Sequence, residues 1–322
     1  MNNILYSITN KVIENYRLAK YKLRFDGEYI NHFASLIFTG NDNIDIDKIK
    51  EIRKYIKTNT NKMSSFRGDI LYMLSILISK ENNYKEFSDK VIKINEKLEE
   101  NDFKENDFLV LSSYTIAKHI NIDEVYNIIK DMKIIYNSLK ENYKGFTDEE
   151  DYLACALLAI KNNKDKGEAK NIHEYIESMF NHLSDLDYYS KNDLQGIASS
   201  IVLNDKASAP YEIKELINAF NENGMKIGDE VLPLIGIIER EENIKSYLDK
   251  INEVNQYLCD EDGEYAFYMD KTFRTLIAIV IVEVYELLKN STKNEFLNEL
   301  VCFSIYSFLV SKKQGIFEEV LA

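Results

Sequence analysis

Nearly all-apolar runs follow Phe66, Phe108, Leu153, Leu194, Leu232 and Phe273, recurring at roughly 40 residues. One run is Leu71-Tyr72-Met73-Leu74-Ser75-Ile76-Leu77-Ile78, and another extends from Tyr152 to Ile160. A helix that is apolar around most of its circumference has to be covered on more than one side. Segments with a single apolar stripe alternate with these runs. Val125, Ile128, Ile129, Met132, Ile135, Tyr136 and Leu139 recur at helical spacing. So do Ile172, Tyr175, Ile176, Met179 and Leu183, then Ile213, Leu216, Ile217 and Phe220, and again Ile244, Tyr247, Leu248 and Ile251. The pattern predicts an all-α chain of helical hairpins, each with a sandwiched first helix and a half-exposed second one. About seven hairpins are expected, stacked as an α-α superhelix or solenoid of the HEAT/armadillo kind. Residues 1–322 are read as one continuous domain, with an N-terminal helix in 1–27 and hairpins over 28–311. No Pro/Gly/Ser-rich linker interrupts it.

Small residues recur within the first helices at Ser35, Ser75, Ser113, Ala156, Ser199, Gly236 and Ala278, where neighbouring helices are expected to approach closely. Start signals agree with this register. Thr147-Asp-Glu-Glu150 fits a capping box in which Glu150 reaches back to the Thr147 amide, and Ser190 to Asp193 is a shorter analogue. Pro210 marks the first turn of a second helix. Pro233 follows Gly228 and Asp229 closely and is expected to shift or kink the helix that begins there.

Composition narrows the reading further. Two Pro and 11 Gly in 322 residues are too few turn formers for an all-β chain. The net charge of −14 opposes binding to nucleic acid or to an anionic membrane, so neither is expected as a partner. Cys155, Cys259 and Cys302 are far apart and set among apolar residues, which predicts buried free thiols in a reducing cytoplasm. The N-terminal segment is broken by charges and does not read as a signal peptide. Leu276 to Leu288 is interrupted by Glu283 and Glu286 and reads as a buried helix, not a membrane span. Val301 to Val310 is unusually apolar for a terminal repeat. It is expected either to join two copies as a homo-oligomer or to fold back and be buried.

No catalytic constellation, metal site or cofactor motif emerges. His173 and His182 do not have the i, i+4 spacing of a zinc helix, because Glu177 takes that place. Cys259 to Glu264 suggests a calcium loop, but Leu258 stands where its first oxygen ligand would be. Phosphate loops and nucleophile elbows are absent. The polar candidates for ligand or partner binding are Arg67, Asn192, Asp193 and Gln195, all near the starts of first helices and expected to share one edge of the stack. Asn192 and Gln195 would orient a ligand or peptide through their amides. Asp193 also reads as a capping residue. Arg67 and Arg274, each after a Phe, suggest equivalent structural contacts to carboxylates.

Four stretches stand out in order along the chain: Ile56-Lys57 with Ser64-Ser65-Phe66-Arg67, Asp151 to Ala159, Asn192-Asp193-Leu194-Gln195 with Ser199 to Leu203, and Leu232 to Gly236. In order and spacing they resemble a bacterial family of uncharacterised proteins, the domain-of-unknown-function family numbered four thousand and three. That family often carries a His after the Ser matching Ser199, where this chain has Ser200. The resemblance implies an all-helical bacterial protein and no particular activity. The residues themselves favour a non-enzymatic helical-repeat scaffold that binds a protein or peptide partner. The alternative is a small-molecule-binding protein or enzyme whose site is assembled from carboxylates and amides of several repeats.

Overall fold

The computed structural model describes every residue except 40–42, 144, 188, 205–207, 239–242 and 322, with the backbone alone for 315–321. Fifteen α-helices, one π-helical turn and no strand occur among the described residues. The helices are α1 (Asn3–Lys22), α2 (Glu28–Ile37), α3 (Ile46–Asn59), α4 (Gly68–Ile78), α5 (Tyr84–Glu100), α6 (Asp107–His119), α7 (Val125–Asn142) and α8 (Tyr152–Asp165). They continue as α9 (Ile172–Leu183), α10 (Lys191–Ile201), α11 (Ala209–Glu222), α12 (Leu232–Ile235), α13 (Ile244–Glu261), α14 (Lys271–Asn290) and α15 (Leu297–Leu321), with the π turn at Glu264–Tyr268. Two compact units result. One is Asp45–Asp205, holding α3 to α10; the other is built from both ends of the chain, Met1–Ile44 and Lys206–Ala322.

The hydrophobic pattern translates directly into burial. In α4 every residue from Met73 to Ile78 is buried, as the sandwiched class requires. In α7 the buried set is Val125, Ile128, Ile129, Met132, Ile135, Tyr136 and Leu139, the full predicted stripe. The stripe of α9 is narrower than expected: Tyr175 is 60% exposed, and the helix buries Ile172, Ile176 and Leu183. The residues that open the apolar runs, Phe66, Phe108, Leu153, Leu194, Leu232 and Phe273, are all buried.

The expected phase of the hairpins pairs each apolar helix with the stripe helix after it. The more extensive packing is with the stripe helix before it, as in α1 on α2, α3 on α4, α5 on α6, α7 on α8 and α13 on α14. Polar side chains explain the choice, because each of these pairs is cross-linked. Asn15 Nδ2 donates to the Phe38 carbonyl (2.7 Å), Arg53 Nε to Ser75 Oγ (2.9 Å) and Ser113 Oγ to Asn95 Oδ1 (3.0 Å). Asn162 Nδ2 donates to Asp131 Oδ2 (3.2 Å), and Tyr247 Oη to Glu283 Oε1 (2.6 Å). Helix α1 thus packs on α2 as α3 packs on α4. The recurring serines contribute more than small size. The hydroxyls of Ser35, Ser75 and Ser199 turn back to the carbonyls of His32, Tyr72 and Gln195, so a polar group lies buried at the helix contact without an unmet donor.

Pro233 sits in the first turn of α12, which lasts only from Leu232 to Ile235. At Ser190 the capping box forms as predicted: Ser190 Oγ accepts from the Asp193 amide (3.2 Å), and Asp193 Oδ2 accepts from the Ser190 amide (2.9 Å). Ser190→Ala is expected to cost about 1 kcal/mol. A urea midpoint equal to that of the unaltered chain would show that the box adds nothing.

In the unit formed by the two chain ends, α1 packs on α13 and α14, and α2 packs on α14 and α15. Contacts of this kind join residues about as far apart in sequence as the chain allows. Tyr257 Oη donates to Asn10 Oδ1 (2.7 Å), and Arg17 pairs with Asp262 (3.3 Å). The apolar C-terminal segment takes the fold-back course. Val301, Cys302, Ile305, Tyr306 and Phe308 are buried, and the Phe308 ring meets those of Phe273 and Tyr29 at centroid distances of 4.9 and 5.1 Å. Among the described residues no helix is long and apolar enough to cross a membrane. Glu283 and Glu286, which interrupt the apolar run of α14, are buried against Tyr247 and Lys250.

Candidate functional site

Arg67 stands at the N-cap of α4 and reaches back across the connection to the end of α3. Its guanidinium donates to Thr60 Oγ1 (2.7 Å) and to the carbonyls of Thr60 (3.0 Å), Asn61 (2.8 Å) and Phe66 (2.6 Å). A helix ends with unpaired carbonyls and a partial negative charge, and a fork of five donors suits such a cluster. Arg274 likewise donates to the Tyr265 carbonyl. The two arginines do play equivalent roles, but their acceptors are carbonyls and not the carboxylates expected from sequence. Arg67 reaches the carbonyls that follow the end of α3, where the Asn61 carbonyl also accepts from Ser64 Oγ (2.8 Å), and Arg274 reaches a carbonyl inside the π turn that Cys259 Sγ also approaches (3.8 Å).

The other three sequence candidates lie at the start of α10. Asn192 is exposed, and Asp193 is occupied by the capping box. Gln195 is fully buried, and its Nε2 donates to Thr147 Oγ1 (3.1 Å), tying α10 to the connection before α8. That bond removes Thr147 from the capping role expected of it. Asp148 caps instead, accepting from the Glu150 amide (2.8 Å), while Asp151 Oδ2 accepts from the Asp148 amide (3.0 Å). The box is shifted by one residue, and Glu150 is not part of it. The structure thus ties Gln195 to Thr147 and Arg67 to Thr60 and Asn61, as two separate arrangements.

Arg67 nonetheless stands behind the wall of a cleft. The connection it holds, together with α5 and the α5–α6 connection, encloses about 250 Å³. Asn59, Asn61 and Asn95 supply amides and Glu96, Glu99 and Glu105 supply carboxylates, with Met63 and Phe66 as apolar lining. No Lys or Arg is among the lining residues. The acidic groups are positioned from behind. Buried Ser113 donates to Asn95 Oδ1, Asn95 Nδ2 donates to Glu99, and the Ser65 amide donates to Glu105 Oε1 (2.7 Å). Partial burial pushes the Glu99 carboxyl above its ordinary range, and Glu105 and Glu96 push it the same way. A site of this kind favours a guest that carries positive charge and N–H donors.

A second polar cluster lies where the chain ends meet. His32 is fully buried and stacks on Tyr16 at a centroid distance of 3.7 Å and an interplanar angle of 6°. Tyr265 meets His32 edge-on at 5.3 Å. Among the described residues neither ring nitrogen of His32 has a hydrogen-bond partner; Nε2 faces Glu28 Oε1 at 4.0 Å. Burial and the nearby Lys20 charge keep His32 well below its ordinary range, so it is neutral. Lys20 pairs with Glu264 and lies 5.4 Å over the Tyr16 ring centroid. The Glu28 carboxyl is pushed up to about 7, first by burial and then by Glu264 beside it.

That shift has a consequence for stability. A carboxyl raised in the folded state contributes stability that is complete below its unfolded value of 4.5 and is lost as pH rises through about 7. Its side chain is 39% exposed, so solvent screening reduces the effect to roughly 1 kcal/mol. Chemical denaturation is expected to show stability falling between pH 5 and pH 8, with a shallower fall in Glu28→Gln. An equal slope in both proteins would remove Glu28 as the cause.

The remaining sequence features have structural partners. Within the former calcium-loop candidate, Asp262 pairs with Arg17 and Glu264 with Lys20. His173 Nδ1 is 2.8 Å from the Lys170 carbonyl, and no group of three metal-binding side chains occurs among the described residues. Cys155 and Cys302 are buried, as expected, whereas Cys259 is only half-buried. Neither the acidic cleft nor the His32 cluster was identified from sequence. For the latter one signal was present: a lone His among the mostly apolar residues of α2, one turn after Glu28.

Fold and site together define an all-α helical-hairpin protein with an acid-lined cleft between successive hairpins. The chain belongs to the family described as Protein of unknown function (DUF4003), whose model matches residues 15–314. No curated protein and no solved structure matches it.

Proposed function

We propose that this protein is a helical-repeat scaffold that captures a basic side chain of a protein or peptide partner in the cleft between α3, α5 and the connections that follow them. The observation that carries the reading is the cleft lining, which among the described residues has three carboxylates and three amides and no Lys or Arg. Size decides between a side chain and a larger ligand. About 250 Å³ is below the roughly 300–1,000 Å³ typical of small-molecule sites and suits the end of one lysine or arginine. Met63, 89% exposed at the rim, offers an adaptable apolar contact for the rest of a peptide. An open groove of about 790 Å³ along α13, in the unit formed by the chain ends, also suits an extended partner better than an enclosed substrate. The superhelical stacking inferred from the repeat belongs to the same proposal, since such arrays present successive equivalent helices to a partner.

The test is calorimetric titration with lysine-rich peptides, their acetylated counterparts and a simple polyamine. Binding of the unmodified peptide, loss on acetylation and a weakening of about tenfold or more in Glu96→Gln/Glu99→Gln support the proposal. Binding of the polyamine but not the peptide would assign the cleft to a small molecule. Equal binding of acetylated and unmodified peptides would overturn the charge-based reading.

A further inference from the structure

We propose a second site in the unit formed by the chain ends: Glu28, Glu264 and His32 Nε2 together bind the primary ammonium group of a small amine. This goes beyond the cleft reading and does not depend on it. The starting observation is a buried acceptor without a donor. His32 is fully buried, and its Nε2 is turned toward the Glu28 carboxylate at 4.0 Å, too far for a hydrogen bond between them. With the imidazole neutral and its proton on Nδ1, Nε2 is an acceptor. Nε2 and the Glu28 carboxylate thus face each other, with Glu264 acting on Glu28 beside them, and the three donors of a primary ammonium suit acceptors of this kind.

Charge counting points the same way. Two carboxylates, Glu28 and Glu264, share the place with one cation, Lys20, which pairs with Glu264. Lys20 also demonstrates the chemistry, since its ammonium lies 5.4 Å over the ring centroid of Tyr16, the residue stacked on His32. An aromatic face beside a carboxylate is an established setting for an ammonium ion. The groups facing Glu28 are Tyr16 and Lys20 from α1, Glu264 from the π turn, and Tyr29 and His32 on its own helix. Lys312 and Asp270 act on Tyr29 next to it. Access is through Glu28, whose side chain is 39% exposed while His32 is covered. The amine enters as its ammonium ion. A proton on Glu28, favoured there by burial and by Glu264, leaves to solvent as the ammonium binds, and the two carboxylates then face two cations.

The experiment titrates the full chain carrying Glu96→Gln and Glu99→Gln, which weakens the cleft, with ethylammonium and with tetramethylammonium. Calorimetry in two buffers of different ionisation enthalpy reads proton release at pH 7. Expected are ethylammonium binding with release of a proton and little binding of tetramethylammonium, which has charge but no N–H. Glu28→Gln, a neutral change at a half-exposed position, should weaken ethylammonium about tenfold or more and abolish the proton release. His32→Phe should also weaken it, and the Glu28 variant keeps the test valid if that buried change prevents folding. No ethylammonium binding, equal binding of the two ions, or an unchanged affinity in Glu28→Gln would each overturn the site.

Discussion

Ser75→Leu is expected to lower stability by about 3–4 kcal/mol. Two effects add at this position. Ser75 is completely buried inside α4, where adjacent helices come close, and two extra heavy atoms there cost about 1–3 kcal/mol through forced rotamers and backbone shifts. The substitution also removes the hydroxyl that accepts from Arg53 Nε at 2.9 Å, in a setting where Arg53 is only 9% exposed. Loss of a hydrogen bond to a buried charged group contributes a further 1–3 kcal/mol or so. Ser75→Ala separates the two contributions, since it removes the hydroxyl without adding volume, and should cost about half as much. Urea denaturation of the three proteins measures both. A leucine variant as stable as the unaltered chain would show that α3 and α4 are not held at the distance described.

Arg67→Ala is the second large effect, expected at about 2–3 kcal/mol. It takes the guanidinium from the carbonyls of Thr60 and Phe66, while the Asn61 carbonyl keeps its bond from Ser64, and charged hydrogen bonds are the stronger kind. Arg67→Lys should recover only part of the loss, because one ammonium cannot serve carbonyls spread across a planar fork. Thr60 and Asn61 line the acidic cleft, so affinity for a basic peptide should fall in the alanine variant although Arg67 is not among the lining residues. Stability and affinity measured on the same variants check this. Reduced stability with unchanged peptide affinity would separate Arg67 from the cleft.

Periodicity was sufficient for the helices because burial in this chain follows it so closely. The α7 stripe is an instance: a helix packed along one face must bury residues three and four apart, and every residue of that set is buried. The cap at Ser190 was legible for a similar reason, since a side chain bonding an amide three residues away is a local event. The box before α8 was misread by one residue because a distant group intervened. Gln195 claims Thr147, and no spacing within the Thr147 to Glu150 segment reveals it.

The candidate sites lie further from what a linear reading reaches. Arg67 was singled out, but its acceptors are backbone carbonyls, which every residue possesses and no sequence pattern marks. Glu99 is one of many glutamates in an acidic chain. What distinguishes it is the buried amide of Asn95 behind it, held in turn by Ser113 from the next helix. His32 acquires its setting from Tyr16 on α1 and from Tyr265 in the π turn of a distant segment.

The sequence by itself determined the helical class, the alternation of sandwiched and striped helices, the recurrence of small residues and the family, because each depends on intervals within one helix or between successive ones. Only the tertiary structure decided which stripe helix each apolar helix takes as its partner, that both chain ends enter one compact unit, and which carboxylates gather around a cleft or a buried imidazole. Those outcomes depend on side chains meeting across tens to hundreds of intervening residues. Many sequences with the same periodicity satisfy the local rules equally well, so periodicity alone does not specify such meetings.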